Sequence, residues 1–467
     1  MVMKIKKIVE GIRIIDAGAE GKAVGKIEDK VVFVPFVVPG DLIDAEVFKN
    51  KKSYYEGTAV RIHEYSDKRT EARCEHFGIC GGCRWQNLKY SEQLYFKQKQ
   101  VQDNIDRIGK FEHPPLLPII PSEKEFFYRN KLEFSFSNKK WLTEFSKSEN
   151  VPIKNMNGLG FHVPGMFDRV VDIRNCHLQA EPSNQIRIAV KKYAIEHNLE
   201  FFNTRNFGGF LRNLIVRTTS TGEVMVILIV HSDDQDKIYG LLHHIGTLFP
   251  DITSLMYVIN SKRNDTINDL PVRLFKGKDH LVEVMGNLKF RIGPVSFFQS
   301  NTPQAENLFS TVLQYAELSG KETVYDFYTG TGTIANYIAR KAHKVIGIES
   351  VPAALEDARL NSQLNGIHNT FFHCGDIAGV MSSDLSAEFG KPDVIITDPP
   401  RAGMHEKVVQ QILNLEPARI VYISCNPATQ ARDVALMIGN YSVDKIQPFD
   451  MFPQTQHVEN IMLLRRR

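Results

Sequence analysis

The rhythm of apolar and polar positions changes three times along the chain. Up to about residue 63 the apolar residues alternate in short runs, at 12–15, 30–34, 42–48 and 55–62, with turns at 17–21 and 38–41. Short strands at that spacing predict a small β-barrel. Residues 64–290 read as an α+β domain. A helix over 88–108 sets Leu94, Val101, Ile105 and Ile108 on one face and stops at Gly109. A proline-rich loop covers 113–121, a strand 132–136, a polar hairpin excursion 138–158, and paired strands 214–218 and 223–230. From 291 the pattern becomes strand–helix alternation, with strands at 323–328, 344–349, 393–398 and 419–425 and helices at 334–341 and 352–365. This predicts a doubly wound α/β domain, whose ligands bind at the carboxyl ends of the strands. Asp326, Glu349, Asp398 and Cys425 all fall at or near such ends. The expected division is therefore 1–63, 64–290 and 291–467.

Composition narrows the class without choosing a function. The 467 residues are 43% hydrophobic and 24% charged, within the ordinary range of folded soluble proteins. A net charge of +3 neither demands nor excludes a nucleic acid. The apolar runs are all shorter than the roughly 18 residues a membrane helix needs. The first residues mix charge with apolar side chains, unlike a signal peptide. The expectation is a cytoplasmic protein with no membrane association and no obligate protein partner.

Four local patterns carry chemistry in the last domain. A glycine turn, Gly330-Thr-Gly332, follows the first strand, and Glu349 ends the next. Such a turn lets backbone approach a ligand, and such an acid accepts hydrogen bonds from ribose hydroxyls. The same glycines also satisfy a relaxed dinucleotide fingerprint, so an NAD-linked oxidoreductase stands as an alternative. Asp398-Pro-Pro-Arg401, at a later strand end, resembles the fourth motif of methyltransferases that use S-adenosylmethionine. Arg401 replaces the aromatic residue that amine-methylating enzymes carry there. Ser424-Cys425-Asn426-Pro427 ends another strand and marks a candidate nucleophile. Glu459, just before the apolar run 461–464, is a candidate base.

Three of the six cysteines, Cys74, Cys80 and Cys83, lie within ten residues, and Cys176 is a fourth thiol in the same domain. Four thiolates suit zinc or an iron–sulfur cluster.

Taken in order, Phe297-Phe-Gln299-Ser-Asn301, Asp326-Phe-Tyr328-Thr-Gly330-Thr-Gly332, Asp398-Pro-Pro-Arg401-Ala-Gly403, Ser424-Cys425-Asn426-Pro427 and His457-Val-Glu459 resemble the RNA uracil-C5 methyltransferase family. The resemblance spans nearly the whole chain. Gly21, Gly25, Val32-Phe-Val-Pro35 and Pro39-Gly-Asp-Leu-Ile are similar to a TRAM domain, an OB-like RNA-binding barrel. The family implies Cys425 as nucleophile and Glu459 as the base that removes the C5 proton. It implies Gln299, Tyr328, Glu349 and Asp398 as residues binding S-adenosylmethionine, with Asp376 near the adenine. It implies Phe297 as an aromatic stacking on a displaced base. Its pattern of Cys-Gly-Gly-Cys with a distant fourth cysteine favours a [4Fe–4S] cluster on Cys74, Cys80, Cys83 and Cys176. Thr329 stands where many members have cysteine. By analogy the substrate is RNA, 23S ribosomal RNA in preference to transfer RNA. A catalytically silent RNA-binding protein is the remaining alternative.

Overall fold

The computed structural model describes residues 7–142, 155–380 and 385–467. Five strands, β1 (Lys7–Ala17), β2 (Ala23–Ile27), β3 (Lys30–Val34), β4 (Leu42–Asn50) and β5 (Tyr54–Glu64), close a barrel in the order β1-β2-β3-β5-β4. Ile12 and Ile14, Val32 and Val34, and Ile43, Ala45 and Val47 point inward at every second residue, as a pleated strand requires. Strand β2 is an addition to the four expected, because Gly25 and Lys26 interrupt its apolar alternation. The turn after β3 is held by Asp41, whose buried carboxylate accepts from the Val38 amide at 2.7 Å and from Arg69 at 2.7 Å.

A second sheet follows in the order β12-β11-β10-β9-β6-β7-β8. It comprises β6 (Lys131–Ser137), β7 (Gly158–His162), β8 (Val170–Asp172), β9 (Leu211–Thr218), β10 (Val224–Val230), β11 (Ser254–Ile259) and β12 (Val272–Gly277). All seven side chains of β10 are buried, which explains its unbroken apolar run. Most of the expected excursion at 138–158, residues 143–154, lies outside the described residues. Helix α1 (Tyr90–Asn104) precedes this sheet. Its buried face is Gln93, Phe96, Lys97 and Val101, while Leu94 is only half-buried and Ile108, just beyond the helix, is exposed. Of the four apolar residues expected inside, Val101 and Ile105 are fully buried, so the apolar periodicity placed the later part of the inner face and missed the polar Gln93 and Lys97. The helix docks on a polar segment far along the chain, so polar residues turn inward.

A hairpin of β13 (Leu281–Met285) and β14 (Leu288–Ile292) leads into the last sheet, and the expected boundary at 290/291 falls within β14. Met285, Leu288 and Phe290 share a core with α2 (Thr302–Ala316) and the strands beyond it. Those strands are β15 (Thr323–Phe327), β16 (Lys344–Glu349), β17 (Thr370–Cys374), β18 (Val394–Thr397), β19 (Arg419–Ser424), β20 (Tyr441–Phe449) and β21 (Glu459–Arg466). Their order is β17-β16-β15-β18-β19-β21-β20. The first five are parallel, and β21 runs antiparallel between β19 and β20. The order reverses between β15 and β18, so a crevice opens there at the carboxyl ends. Among the described residues no helix is long and apolar enough to cross a membrane.

The connection from β20 to β21 is gripped by the central domain. Lys97 on α1 and Asp450 form an ion pair at 2.5 Å with both side chains at 0% exposure. Gln93 and Gln454 pair reciprocally, the Gln454 amide donating to Gln93 Oε1 at 2.9 Å and Gln93 Nε2 donating to Gln454 Oε1 at 3.1 Å. Tyr128 donates its hydroxyl to the Pro453 carbonyl at 3.0 Å. A buried pair that loses one partner leaves an uncompensated charge, which costs about 3–5 kcal/mol. Lys97→Met should therefore destabilise the protein by about that amount. The double variant Lys97→Met/Asp450→Leu should recover most of the loss in denaturant unfolding. Equal stability of Lys97→Met and the wild type would show that the pair does not hold this joint.

Candidate active site

The crevice between β15 and β18 is built from strand ends. The turn after β15 runs through Tyr328, Gly330 and Gly332 at φ 61°, 54° and 71°. A Cβ on Gly332 would stand 2.8 Å from the Ala358 Cβ, so the helix Pro352–Leu364 packs too closely for any side chain there. A Cβ on Gly330 would meet open space, so here the requirement is the left-handed backbone and an uncovered turn. The Gly330 amide donates to Glu349 Oε2 at 3.2 Å, while Glu349 Oε1 accepts from the Ser350 and Val351 amides at 2.8 and 3.0 Å. These bonds fix the carboxylate at the end of β16, and Oε2 retains capacity for a further donor.

Of the other residues expected to bind a donor, Tyr328 and Asp376 stand near this carboxylate. The negative charges of Asp376 and Glu349 both act on the Tyr328 phenol, which burial pushes up to about 12. Asp376 is exposed in the turn after β17. Gln299 is half-buried and held by its backbone, its carbonyl accepting from Asn130 Nδ2 at 2.8 Å. Its side-chain amide is unbonded among the described residues. Asp398, at the end of β18, has its carboxyl pushed up to about 7 by burial. Asp326 behaves alike, also about 7, through burial and the nearby charge of Asp398.

Cys425 follows β19 and Glu459 opens β21, two neighbouring strands of the sheet. Burial pushes the Cys425 thiol up to about 11, with the charges of Glu459 and Asp398 adding to the rise and Arg401 opposing it. Glu459 is 6% exposed, and burial together with Asp398 lifts its carboxyl well above the usual range, again opposed by Arg401. Cys425, Glu459, Asp398 and Arg401 thus share a single electrostatic environment. Phe297 is 70% exposed, which removes core packing as its role. Arg401 was legible only as a missing aromatic, and its position as the cation beside both catalytic candidates comes from the fold. Asn130, which holds Gln299, carried no motif signal at all.

Some 50 residues before β6, the loop bearing Cys74, Cys80 and Cys83 meets the turn of Cys176, and all four thiols line one cavity of about 130 Å³. Burial raises all four thiols, Cys80 and Cys83 to about 12. The Gly82 amide donates to Cys80 Sγ at 3.4 Å. Arg129 also lines the cavity, and its Nε is a buried donor without an acceptor. A thiol-rich cavity with an amide donor and an unsatisfied cation is suited to an anionic metal–thiolate centre. Among the described residues no group of three or more His, Cys, Asp or Glu is drawn together as around a single ion.

Comparison with known proteins places this geometry. The family model for tRNA (Uracil-5-)-methyltransferase matches residues 274–467. An uncharacterized RNA methyltransferase of Bacteroides thetaiotaomicron is 55% identical over 452 residues, covering 96% of this chain and 100% of that protein. A second, from Porphyromonas gingivalis, is 50% identical over 97% of this chain and 99% of its own.

The chain belongs to the RNA uracil-C5 methyltransferase family.

As an S-adenosylmethionine-dependent RNA methyltransferase it leaves no place for the NAD-linked reading of the glycine turn. The crystal structure of Pyrococcus abyssi tRNA (uracil-54, C5)-methyltransferase in complex with S-adenosyl-L-homocysteine is similar over 97% of this chain and 100% of that one, with TM-score 0.75 and 29% identity. For this methyltransferase the opposed charges around Cys425 make a direct expectation. Glu459→Gln removes a negative neighbour and should bring the thiol down, so iodoacetamide alkylation of Cys425 should begin at lower pH. Arg401→Ala removes the opposing cation and should move the profile to higher pH. Identical alkylation profiles in the three proteins would separate these groups from the thiol.

Proposed function

We propose that this methyltransferase methylates C5 of a specific uracil in 23S ribosomal RNA, with Cys425 as nucleophile and Glu459 as the base. The observation that carries the reading is the shared electrostatic environment of Cys425, Asp398 and Glu459 at the ends of adjacent strands, with the exposed Arg401 beside them. C5 of uracil is a weak nucleophile. Addition of the Cys425 sulfur to C6 pushes the ring electrons into an enolate, with charge on the C4 oxygen and on C5. Arg401 supplies a nearby positive charge that favours this state. The thiol is protonated at neutral pH, so its proton passes to Asp398, the other carboxylate beside it, as the sulfur adds, and Glu459 stays free for the later step. C5 then attacks the methyl group of S-adenosylmethionine and releases S-adenosylhomocysteine. Glu459 removes the C5 proton, and the electrons of that bond expel the sulfur from C6. A carboxylate whose affinity for protons is raised by burial is a stronger base than an exposed one.

In the same reading Gln299, Tyr328, Glu349, Asp376 and Asp398 hold the donor, and Phe297 stacks on the displaced base. The barrel, 1–63, and the central domain, 64–290, bind the RNA that the domain 291–467 modifies, and the enzyme works where that RNA is, in the cytoplasm. Transfer RNA is the second reading, favoured by the full-length similarity to the Pyrococcus abyssi tRNA enzyme. Because that similarity spans the barrel and central domain too, those parts accompany either target. Mapping 5-methyluridine in both RNAs of a strain lacking the gene decides between them.

Cys74, Cys80, Cys83 and Cys176 would hold a [4Fe–4S] cluster, which would supply a rigid cross-link between distant loops. Methyl transfer from a sulfonium needs no electron, so the role is structural. Protein purified without oxygen should be brown and contain iron and sulfide, and Cys374→Ser should leave both unchanged. Colourless protein with stoichiometric zinc would replace the cluster by a zinc site.

The two catalytic roles separate in time. Cys425→Ala should give no methylation and no RNA–protein bond. Glu459→Gln should methylate once and remain joined to the RNA, visible as a shifted band on a denaturing gel. Wild-type turnover by Glu459→Gln would move the base elsewhere.

A further inference from the structure

We propose that the RNA strand adjoining the target uracil runs single-stranded along a ladder of guanidinium groups and rings, Arg73–Phe127, Arg129–Phe452 and His457–Arg401, which ends at Cys425. The inference rests on the RNA reading above and adds the path of the strand. The Arg73 guanidinium lies 4.9 Å from the centre of the Phe127 ring and 5.3 Å from that of Phe126. Phe127 and Arg129 border one cleft of about 250 Å³, and their amides donate to the consecutive carbonyls of His177 and Leu178, each at 2.8 Å. The Arg129 guanidinium lies 5.4 Å from the centre of the Phe452 ring. Phe452 meets the His457 ring edge-on at 6.3 Å, and Arg401 reaches His457 at 3.4 Å. Arg401 in turn acts on the Cys425 thiol. The groups thus run from the exposed Arg73 to Arg401, whose carbonyl accepts from Nδ2 of Asn426, the residue after Cys425, at 2.9 Å.

The charge state of the ladder identifies its occupant. Arg73, Arg129 and Arg401 make no ion pair with a carboxylate among the described residues. Some other arginines are neutralised, as Arg69 is by Asp41 and Arg465 by Glu317 and Asp444; what sets these three apart is that each lies against a ring on the way to Cys425. Unpaired cations call for an anionic partner, and rings beside them call for flat faces at a repeating interval. A single nucleic-acid strand offers both, phosphates for the guanidiniums and unstacked bases for the rings. A duplex keeps its bases stacked on one another and offers the rings nothing.

The test is fluorescence anisotropy with a labelled single-stranded 12-nucleotide RNA containing uridine, titrated over a range of KCl, with S-adenosylmethionine binding measured alongside to report folding. Phe127→Ala should weaken RNA binding about ten-fold, the loss of one stacked base, with the salt dependence kept. Arg73→Ala should lower the slope of log affinity against log salt by about 0.7, one phosphate contact on a single strand. S-adenosylmethionine affinity should be unchanged in both. Wild-type RNA affinity and slope in both variants, or equal binding of the same sequence as a duplex, would overturn the ladder. Failure of the wild-type protein to bind RNA at all would instead remove the RNA reading beneath it.

Discussion

The ammonium of Lys97 and the carboxylate of Asp450 meet where neither side chain is exposed, and the geometry of the catalytic centre depends on that contact. Asp450 begins the connection between β20 and β21, and the same connection delivers His457 and Glu459. A free loop of this length would leave Glu459 in solvent. Here the Lys97 charge, the Gln93–Gln454 exchange and the Tyr128 hydroxyl hold the connection from the side of the central domain. Burying two charges is expensive, and their mutual attraction offsets it only with good geometry. The additional hydrogen bond from Lys97 to the Phe452 carbonyl at 3.0 Å supplies part of that geometry. The central domain thus places part of the candidate active site.

With the connection fixed, the crevice gathers acids that repel one another. Asp326, Asp398, Glu349 and Glu459 converge near one strand reversal, and burial raises Asp326, Asp398 and Glu459 above ordinary carboxyls. Such an arrangement costs stability at neutral pH, because the folded chain must hold protons or charges that the unfolded chain gives to water. In the proposed reaction a sulfonium donor would relieve the repulsion by bringing a positive charge, and an enolate beside Arg401 would use the remaining asymmetry. Buried acids near a nucleophile are thus what the proposed chemistry requires.

Much of this was legible along the chain because it is local. The strand–helix alternation after 291 gave the doubly wound sheet, with β16 placed at 344–349 to the residue, since a buried parallel strand is a continuous apolar run. The glycine turn and the Asp398 and Cys425 motifs stand at the strand ends expected of them. What was hidden is long-range. Gln93 and Lys97 look like solvent-facing residues on a helix, and their partners lie more than 350 residues away. The burial of Glu459 depends on the same joint and could not be read from its neighbours in sequence. The short strand β2 was missed because a glycine and a lysine break its alternation, and pairing on both edges supplies what propensity lacks. The mutual approach of Cys176 and the earlier three cysteines is likewise a product of the fold, anticipated only as a thiol in the same domain.

The central claim is that the carbon at position 5 of uracil receives the methyl group and gives up its proton. RNA transcribed with uridine tritiated at C5, incubated with the enzyme and S-adenosylmethionine, tests it directly. One tritium should appear in water for each methyl group incorporated. Methyl incorporation with the tritium retained would place the reaction at another atom and contradict the account.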